Sequence, residues 1–434
     1  MTGSQAGTLA APAFVTRSPR AARLVAAHAH AWLVAGCAVG LLLATLLLSP
    51  RLGDWLAPLT YGRWATLHLD LTLYGWLAVP MVGLLLRAYG LASRPAATAF
   101  VLALWSGALV AGAVSWLAGE TSGKLFLDWT GAPGVLFASA QAGLALTLGA
   151  GAWRTYAEEA CTRPLPAARR LLALRGLGAL ALLGVPVALL VAERGDLYPA
   201  IDPASGGPTA ASLLISSLGF VALLLLTPRL AGLATLRRRG AAWAPVALAA
   251  HTAFWARLDS GDRSSDLPQA ALLATLAIWI VLLPWELRRF AWPPAARRWL
   301  AAMAFWGSLL AVTGVAQFLP LPLAQVKFTH ALVAHAHLAM AGFASSYAAL
   351  LLRLGATPAG AALGEAPAYW LWQLGLAGHL AALFAIGAGE GSDPAFVLRG
   401  DATLTALLAV RWLAGLAMLA AALRWLAGPR EACR

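Results

Sequence analysis

The sequence predicts an all-α protein that crosses the lipid bilayer many times. Of its 434 residues, 60% are hydrophobic and only 11% are charged, and the mean hydropathy is +0.74. A membrane-spanning helix needs about 20 apolar residues, and we count about twelve segments of that kind. Backbone groups cannot stay unpaired in lipid, so helices are the structure expected for these segments.

The apolar segments follow one another without a linker long enough to separate domains. They lie near residues 24–49, 60–87, 96–118, 131–153, 168–192, 209–235, 241–258, 268–287, 298–320, 327–353, 367–388 and 401–427. We therefore expect a single transmembrane domain over residues 24–427. It is flanked by an N-terminal tail, residues 1–23, and a C-terminal tail, residues 428–434.

Charged residues alternate between the connecting loops. One set of loops is basic and includes Arg20, Arg23, Arg87, Arg94, Arg154, Arg169, Arg229, Arg288, Arg353 and Arg424. The other set holds most of the acids, among them Asp54, Glu120, Asp128, Glu193 and Glu390. The positive-inside rule then predicts that both termini lie in the cytoplasm, and we expect a cell membrane of the bacterial inner type. The net charge of +13 follows from this topology, so we expect membrane lipid and not nucleic acid as a partner.

Two of the eight histidines, His335 and His337, are two residues apart inside an apolar segment. On a helix, positions i and i+2 are about 200° apart, so the two rings face opposite sides and cannot bind one metal ion together. They can each hold a different group. A polar ring without a partner is costly inside a membrane, which makes such residues functional candidates. The group we expect at an apolar site with one imidazole is haem.

His68 and His337 are predicted to lie at the same depth. Their segments run inward from the same side, and the two residues are about eight and ten residues into them, which is about 12–15 Å at 1.5 Å per residue. Two imidazoles at equal depth on neighbouring helices are what a low-spin b-type haem requires, since neutral imidazole is the commonest metal ligand. The alternative is a pair of histidines that bond to the backbone or to each other.

His335, on the opposite side of its helix, would hold a second haem from one side only. Five-coordinate iron keeps an open position for a small gas. The alternative is a buried histidine that bonds to a serine, threonine or tyrosine. His251 and His379 fall at comparable depth on the seventh and eleventh segments, where a packing role is more common than a ligand role.

Two arginines are candidates for binding the anionic propionates of haem. Arg399 and Arg411 lie near the start of the last segment, and arginine pairs well with carboxylates. Arg411 is about ten residues into the segment, where an arginine needs an anionic or carbonyl partner. Arg399 fits an ordinary position at the membrane interface equally well.

These features resemble a known family. The segment from Phe328 to Leu338, which carries the His-x-His pair, is similar to the tenth helix of subunit I in the haem-copper oxidase superfamily. The resemblance is closest to the cbb3-type cytochrome c oxidases and the nitric oxide reductases. Residues 62–68, followed by Tyr74, Gly75 and Trp76, resemble the second helix of that subunit. The resemblance implies an oxidase-like bundle of about twelve helices.

For the site, the resemblance implies that His68 and His337 bind the low-spin haem iron and that His335 binds the iron of the second haem. It also implies oxidoreductase activity in a respiratory chain. The electron donor would be a cytochrome c or copper-protein subunit on the external side, because no such domain is evident in this chain.

The chain departs from the family at its second metal. That metal needs three more histidines on the sixth and seventh helices, and residues 212–220 and 256–264 contain none. One imidazole, His251, does not make a copper site. We therefore expect two b-type haems without copper, and electron transfer from the low-spin haem to the second one.

Two other functions remain open. One is a reductase of nitric oxide or another small molecule with a rebuilt site, for example one that uses His251, Asp259 and Asp262. The other is a transporter without redox activity or a structural membrane subunit, in which the histidines pack or relay protons.

Overall fold

The structure is a computed structural model that describes residues 19–161, 164–199, 213–236, 243–258, 267–317, 319–355 and 358–428. Within these ranges every regular element is a helix. Pairing of the β type is limited there to one isolated bridge between Thr235 and Phe290. The all-α fold predicted from the composition is therefore confirmed for the described part of the chain.

We number the main helices in chain order. They are α1 Pro19–Leu48, α2 Tyr61–Ala88, α3 Pro95–Ala118, α4 Gly131–Glu159, α5 Leu165–Ala192, α6 Leu213–Leu230, α7 Trp243–Leu258, α8 residues 267–287, α9 Pro294–Gln317, α10 His330–Leu354, α11 Ala366–Ser392 and α12 Ala402–Ala427. Short helices at Arg51–Leu56, Pro320–Val326, Pro358–Ala362 and Phe396–Arg399 lie between some of them.

Nine helices in the described ranges are long and apolar enough to cross a membrane, namely α1 to α5 and α9 to α12. The chain is therefore a multi-pass helical membrane protein. The described parts of the sixth, seventh and eighth predicted spans are the helices α6, α7 and α8, and each adjoins residues outside the described ranges. Pro228 lies inside α6, and α8 contains Pro284 and a 3₁₀ turn at Thr275–Ala277. Nine of the twelve predicted spans thus correspond to helices of sufficient length in the described ranges, and the other three stay a prediction.

Helices α1, α2, α10, α11 and α12 pack around one another and form one side of the bundle. Their shared core contains tryptophans that are at most 2% exposed, including Trp76 and Trp425. A second hydrophobic cluster lies apart from this core, and we call it the α6–α8 cluster. It consists of Leu218, Leu225, Ala244, Trp255, Leu272, Leu273 and Trp279. The two regions hold most of the chain's candidate metal ligands between them.

Helices α2 and α10 share an unusual local geometry. Each contains a π-helical stretch, Leu71–Leu77 in α2 and Leu338–Ala344 in α10. π-helical turns are rare and occur frequently at functional sites. His68 lies three residues before the first stretch, and His337 lies directly before the second. The distorted turns therefore mark the same two positions that the histidine pattern singled out.

Candidate functional site

The structure brings the rings of His68 on α2 and His337 on α10 next to each other. Their ring centroids are 6.2 Å apart and their planes differ by 23°. Two metal–nitrogen bonds of about 2 Å each, together with the radii of two imidazole rings, add up to a centroid separation of about 6 Å. The centroid separation thus matches that expected for two imidazoles that bind one metal ion from opposite sides.

Hydrogen bonds fix the tautomer of both rings. The Nδ1 atom of His68 lies 2.8 Å from the carbonyl oxygen of Gly36, and the Nδ1 atom of His337 lies 2.9 Å from that of Val333. A carbonyl oxygen only accepts, so Nδ1 carries the proton in each ring and Nε2 keeps its lone pair. Metal-binding histidines are commonly oriented by a hydrogen bond of this kind, from the ring nitrogen that does not bind the metal. Both rings are therefore prepared to bind a metal through Nε2.

Two glycines of α1 make room for side chains of α2, Gly40 for the His68 ring and Gly36 for Thr72. A Cβ atom at Gly40 would lie 2.8 Å from Cε1 of His68, and one at Gly36 would lie 2.6 Å from Cγ2 of Thr72. Contacts this short force a neighbour to move. The two glycines are four residues apart and so lie on one face of α1. They let the α1 backbone approach His68 closely enough to accept its hydrogen bond.

His335 faces a different neighbour, as the i, i+2 spacing predicts. Its Nδ1 atom lies 3.1 Å from the Thr313 hydroxyl on α9. That hydroxyl donates its own proton to the carbonyl oxygen of Leu309, so it accepts from His335, and Nε2 of His335 keeps a lone pair. A Cβ atom at Gly314 would lie 3.2 Å from the His335 ring. His335 is thus a single prepared imidazole on the α9 side of α10.

A third imidazole and an arginine complete the group around His337. The ring centroid of His379, on α11, lies 4.7 Å from that of His337. Arg411, on α12, is only 5% exposed. Nε2 of His379 and the Nε and Nη1 atoms of Arg411 are buried without a hydrogen-bond partner in the described part of the chain. We call His68, His337, His379 and Arg411 the imidazole site.

The unpartnered guanidinium atoms bear on what the imidazole site can hold. A buried arginine with free donors is costly unless an anionic or carbonyl oxygen accepts from them. Haem offers both iron for the paired Nε2 atoms and carboxylates for a buried cation. The residues present therefore fit haem.

Arg399 is placed differently from Arg411. It forms an ion pair with Asp393, and its side chain is 60% exposed. The protein itself thus supplies the carboxylate that pairs with Arg399. A role for Arg399 toward haem propionates stays a prediction, and the ordinary interfacial position is the one that its contacts resemble.

His251 in the α6–α8 cluster has both ring nitrogens engaged. The Trp279 indole donates to Nδ1 at 2.9 Å and the Trp255 indole donates to Nε2 at 3.0 Å, and Nε2 also lies 2.7 Å from the Thr275 hydroxyl. Both ring nitrogens thus have hydrogen-bond partners, so no lone pair of His251 is left free for a metal. These contacts are those of a packing residue.

No group of three or more His, Cys, Asp or Glu side chains within the described ranges is arranged to hold a metal ion. Asp259 and Asp262, the carboxylates named with His251 as possible ligands, lie outside the described residues. A second metal therefore has no ligand set in the part of the α6–α8 cluster that the structure describes.

Some residues of the site were not identified from the sequence. Gly36, Gly40 and Thr313 orient the histidine rings, and the four-residue spacing of the two glycines was the only signal for them. Asp70 is 1% exposed, and neither of its carboxylate oxygens has a hydrogen-bond partner among the described residues. His330, at the start of α10, bonds through Nδ1 to Glu390 at 2.8 Å.

Comparison with known proteins gives no match for this chain. No protein-family model matches it, and a search of curated proteins finds no significant similarity. The functional argument therefore depends on the geometry of the site and on the motif resemblance.

Proposed function

We propose that this protein is a membrane haem protein that transfers electrons through a b-type haem bound between His68 and His337. The observation that carries the proposal is the pair of opposed rings, 6.2 Å apart, whose Nδ1 atoms are both engaged by backbone carbonyls. Haem supplies a one-electron carrier, and two axial imidazoles close its iron to substrate.

Residues in and around the imidazole site, apart from His379, have tasks in this proposal. Gly36 and Val333 hold the two rings in the tautomer that presents Nε2. Gly40 gives the His68 ring its space. Arg411 neutralises a carboxylate of the haem through its unpartnered donors, and such charge-assisted bonds are strong in an apolar setting. The surrounding apolar helices exclude water from the site.

His335 would hold the second haem. His335 has a free Nε2 atom, and its hydrogen-bond contact is with Thr313 on α9. It would therefore be the single protein ligand of that haem iron, and the position opposite it would stay open. This observation favours a second candidate function as well, the binding or reduction of a small gas such as nitric oxide. Electron transfer from the first haem to the second is the reading we prefer, because the α6–α8 cluster offers no ligand set for another metal among its described residues.

The resemblance to subunit I of the haem-copper oxidases supports the same arrangement. It implies an electron donor on the external side of the membrane, a cytochrome c or a copper-protein subunit. It also implies a place in a respiratory chain of a bacterial-type inner membrane with both termini in the cytoplasm. We expect two b-type haems and no copper.

The test is optical spectroscopy on the purified, detergent-solubilised protein. A pyridine haemochrome assay counts and types the haem, and reduced-minus-oxidised spectra with and without CO separate closed from open iron. Two b-type haems per chain, one of them reactive with CO, are the expected result. A single low-spin haem would withdraw the role of His335. Protein without haem would contradict the proposal and favour a transporter or structural subunit.

A further inference from the structure

His379 is the one buried imidazole next to the haem ligands that the proposed function does not use. It lies on α11, its ring centroid is 4.7 Å from that of His337, and the two planes differ by 46°. The side chain is 8% exposed. Its position is therefore beside His337, on the α10 side of the imidazole site.

The Nε2 atom of His379 is buried without a hydrogen-bond partner among the described residues. The Nδ1 atom lies 3.5 Å from the carbonyl oxygen of Arg411, a long contact in which the ring nitrogen is the donor because a carbonyl oxygen only accepts. This contact favours the tautomer with a lone pair on Nε2. A buried polar atom without a partner is destabilising, and packing alone does not account for it.

The two sides of the imidazole site differ in this respect. His337 has a second imidazole beside it, whereas the ring contacts of His68 within the described ranges are limited to His337 itself. The site thus has one imidazole on α2 and two on the α10 and α11 side.

We propose that His379 is a reserve axial ligand for the same iron and replaces His337 when that ring is removed or displaced. The exchange breaks one iron–nitrogen bond to His337 and forms one to Nε2 of His379. No electron or proton is transferred, because both imidazoles are neutral and protonated on Nδ1. This inference rests on the proposed function, since it requires haem at the imidazole site.

The test compares His337→Ala, His379→Ala, the double variant and His68→Ala with the wild type. Each purified protein is assayed for haem by pyridine haemochrome and for low-spin ferric iron by low-temperature EPR. We expect His337→Ala to keep most of its low-spin haem with shifted g values, because His379 takes the vacant position. The double variant should lose low-spin iron by about tenfold or more. His68→Ala should lose it without the second substitution.

A matched control separates ligand loss from misfolding. Added imidazole should restore the low-spin signal in the double variant if the protein is folded, and the elution volume in detergent should match that of the wild type. High-spin or absent haem in His337→Ala would overturn the reserve role, provided imidazole restores the low-spin signal. Loss of low-spin iron in His379→Ala alone would overturn it too, because His379 would then be the resident ligand. Wild-type protein without haem would instead refute the proposed function.

Discussion

The imidazole site and the α6–α8 cluster both place histidine in apolar surroundings, yet the partners of the ring nitrogens differ. In the imidazole site, Nδ1 of His68 and Nδ1 of His337 each donate to a carbonyl oxygen, which leaves the lone pair of Nε2 free. In the α6–α8 cluster, His251 meets an indole donor on each nitrogen and the Thr275 hydroxyl on Nε2. The partner of each nitrogen, and not burial itself, distinguishes a ligand from a packing residue.

The two regions also differ in charge. Arg411 brings a buried guanidinium with unpartnered donors to the imidazole site. At the edge of the α6–α8 cluster, the fully buried Glu286 is paired with Arg289 at 2.7 Å and accepts a hydrogen bond from Trp243. A protein that binds an anionic cofactor needs a cationic side chain with free hydrogen-bond donors at that place. Of the two regions compared, as far as the structure describes them, the imidazole site has such donors in Nε and Nη1 of Arg411.

The largest effect should come from removing one prepared imidazole. We expect His68→Ala to abolish the low-spin haem signal, because no other described ring is positioned to take its place. The matched control is His251→Ala, which should leave the haem spectrum unchanged and lower stability by about 1–3 kcal/mol through unsatisfied buried donors. Haem spectra and thermal unfolding in detergent measure the two effects. Loss of the low-spin signal in His251→Ala would contradict the difference between the imidazole site and the α6–α8 cluster, because His251 would then affect haem binding.

The next effect concerns the second haem. We expect His335→Ala to lose the CO-reactive haem while the low-spin spectrum stays, because His335 contacts α9 and not the His68 side of α10. The CO difference spectrum and the haem count per chain measure this. If CO binding survived the substitution, the open iron would have to be held elsewhere, and His335 would be a packing residue like His251.

A smaller effect is expected from the buried arginine. Arg411→Gln removes the charge that would meet a haem carboxylate, a loss of about 1.5–3 kcal/mol, or roughly 10- to 100-fold weaker haem retention. Arg399→Gln is the control, since its exposed pair with Asp393 is worth at most about 1 kcal/mol. Transfer of haem to an acceptor such as apomyoglobin reports retention. Equal loss rates in the two variants would refute the role given to Arg411.

The smallest effect should come from the space around His68. Gly40→Ala places a Cβ atom 2.8 Å from the ring, whereas the Cβ atom of Gly107→Ala meets nothing within 4 Å. The first change should displace His68 and shift the low-spin EPR signal. The second should leave the signal unaltered and stabilise its helix by up to about 1 kcal/mol. An unshifted signal in Gly40→Ala would mean that α1 does not set the position of His68.

The sequence predicted the helical membrane fold because apolar length is a local property that each segment displays by itself. The opposite orientation of His335 and His337 was predictable for the same reason, since it follows from helical geometry alone. Apolar composition does not register the prolines and the 3₁₀ turn inside α6 and α8, so these local features were not predicted.

The pairing of rings across helices was harder to foresee. The equal depth of His68 and His337 predicted that the two rings could meet, but the carbonyl partners that set their tautomers depend on the packing of α1 and on the turn before His337. The satisfied state of His251 depends in the same way on where Trp279 and Thr275 lie on α8. Except for Val333, which lies one turn before His337, these partners come from residues distant in the chain, so spacing along the sequence does not reveal them.

The most direct test of the central claim is the metal content of the purified wild-type protein, measured together with its haem content on the same sample. If metal binding is confined to the imidazole site and His335, total iron should equal haem iron, and copper should be absent at stoichiometric levels. Iron in excess of haem, or one copper per chain, would place a metal among the residues that we describe as packing. Such a result would contradict the difference drawn between the two regions.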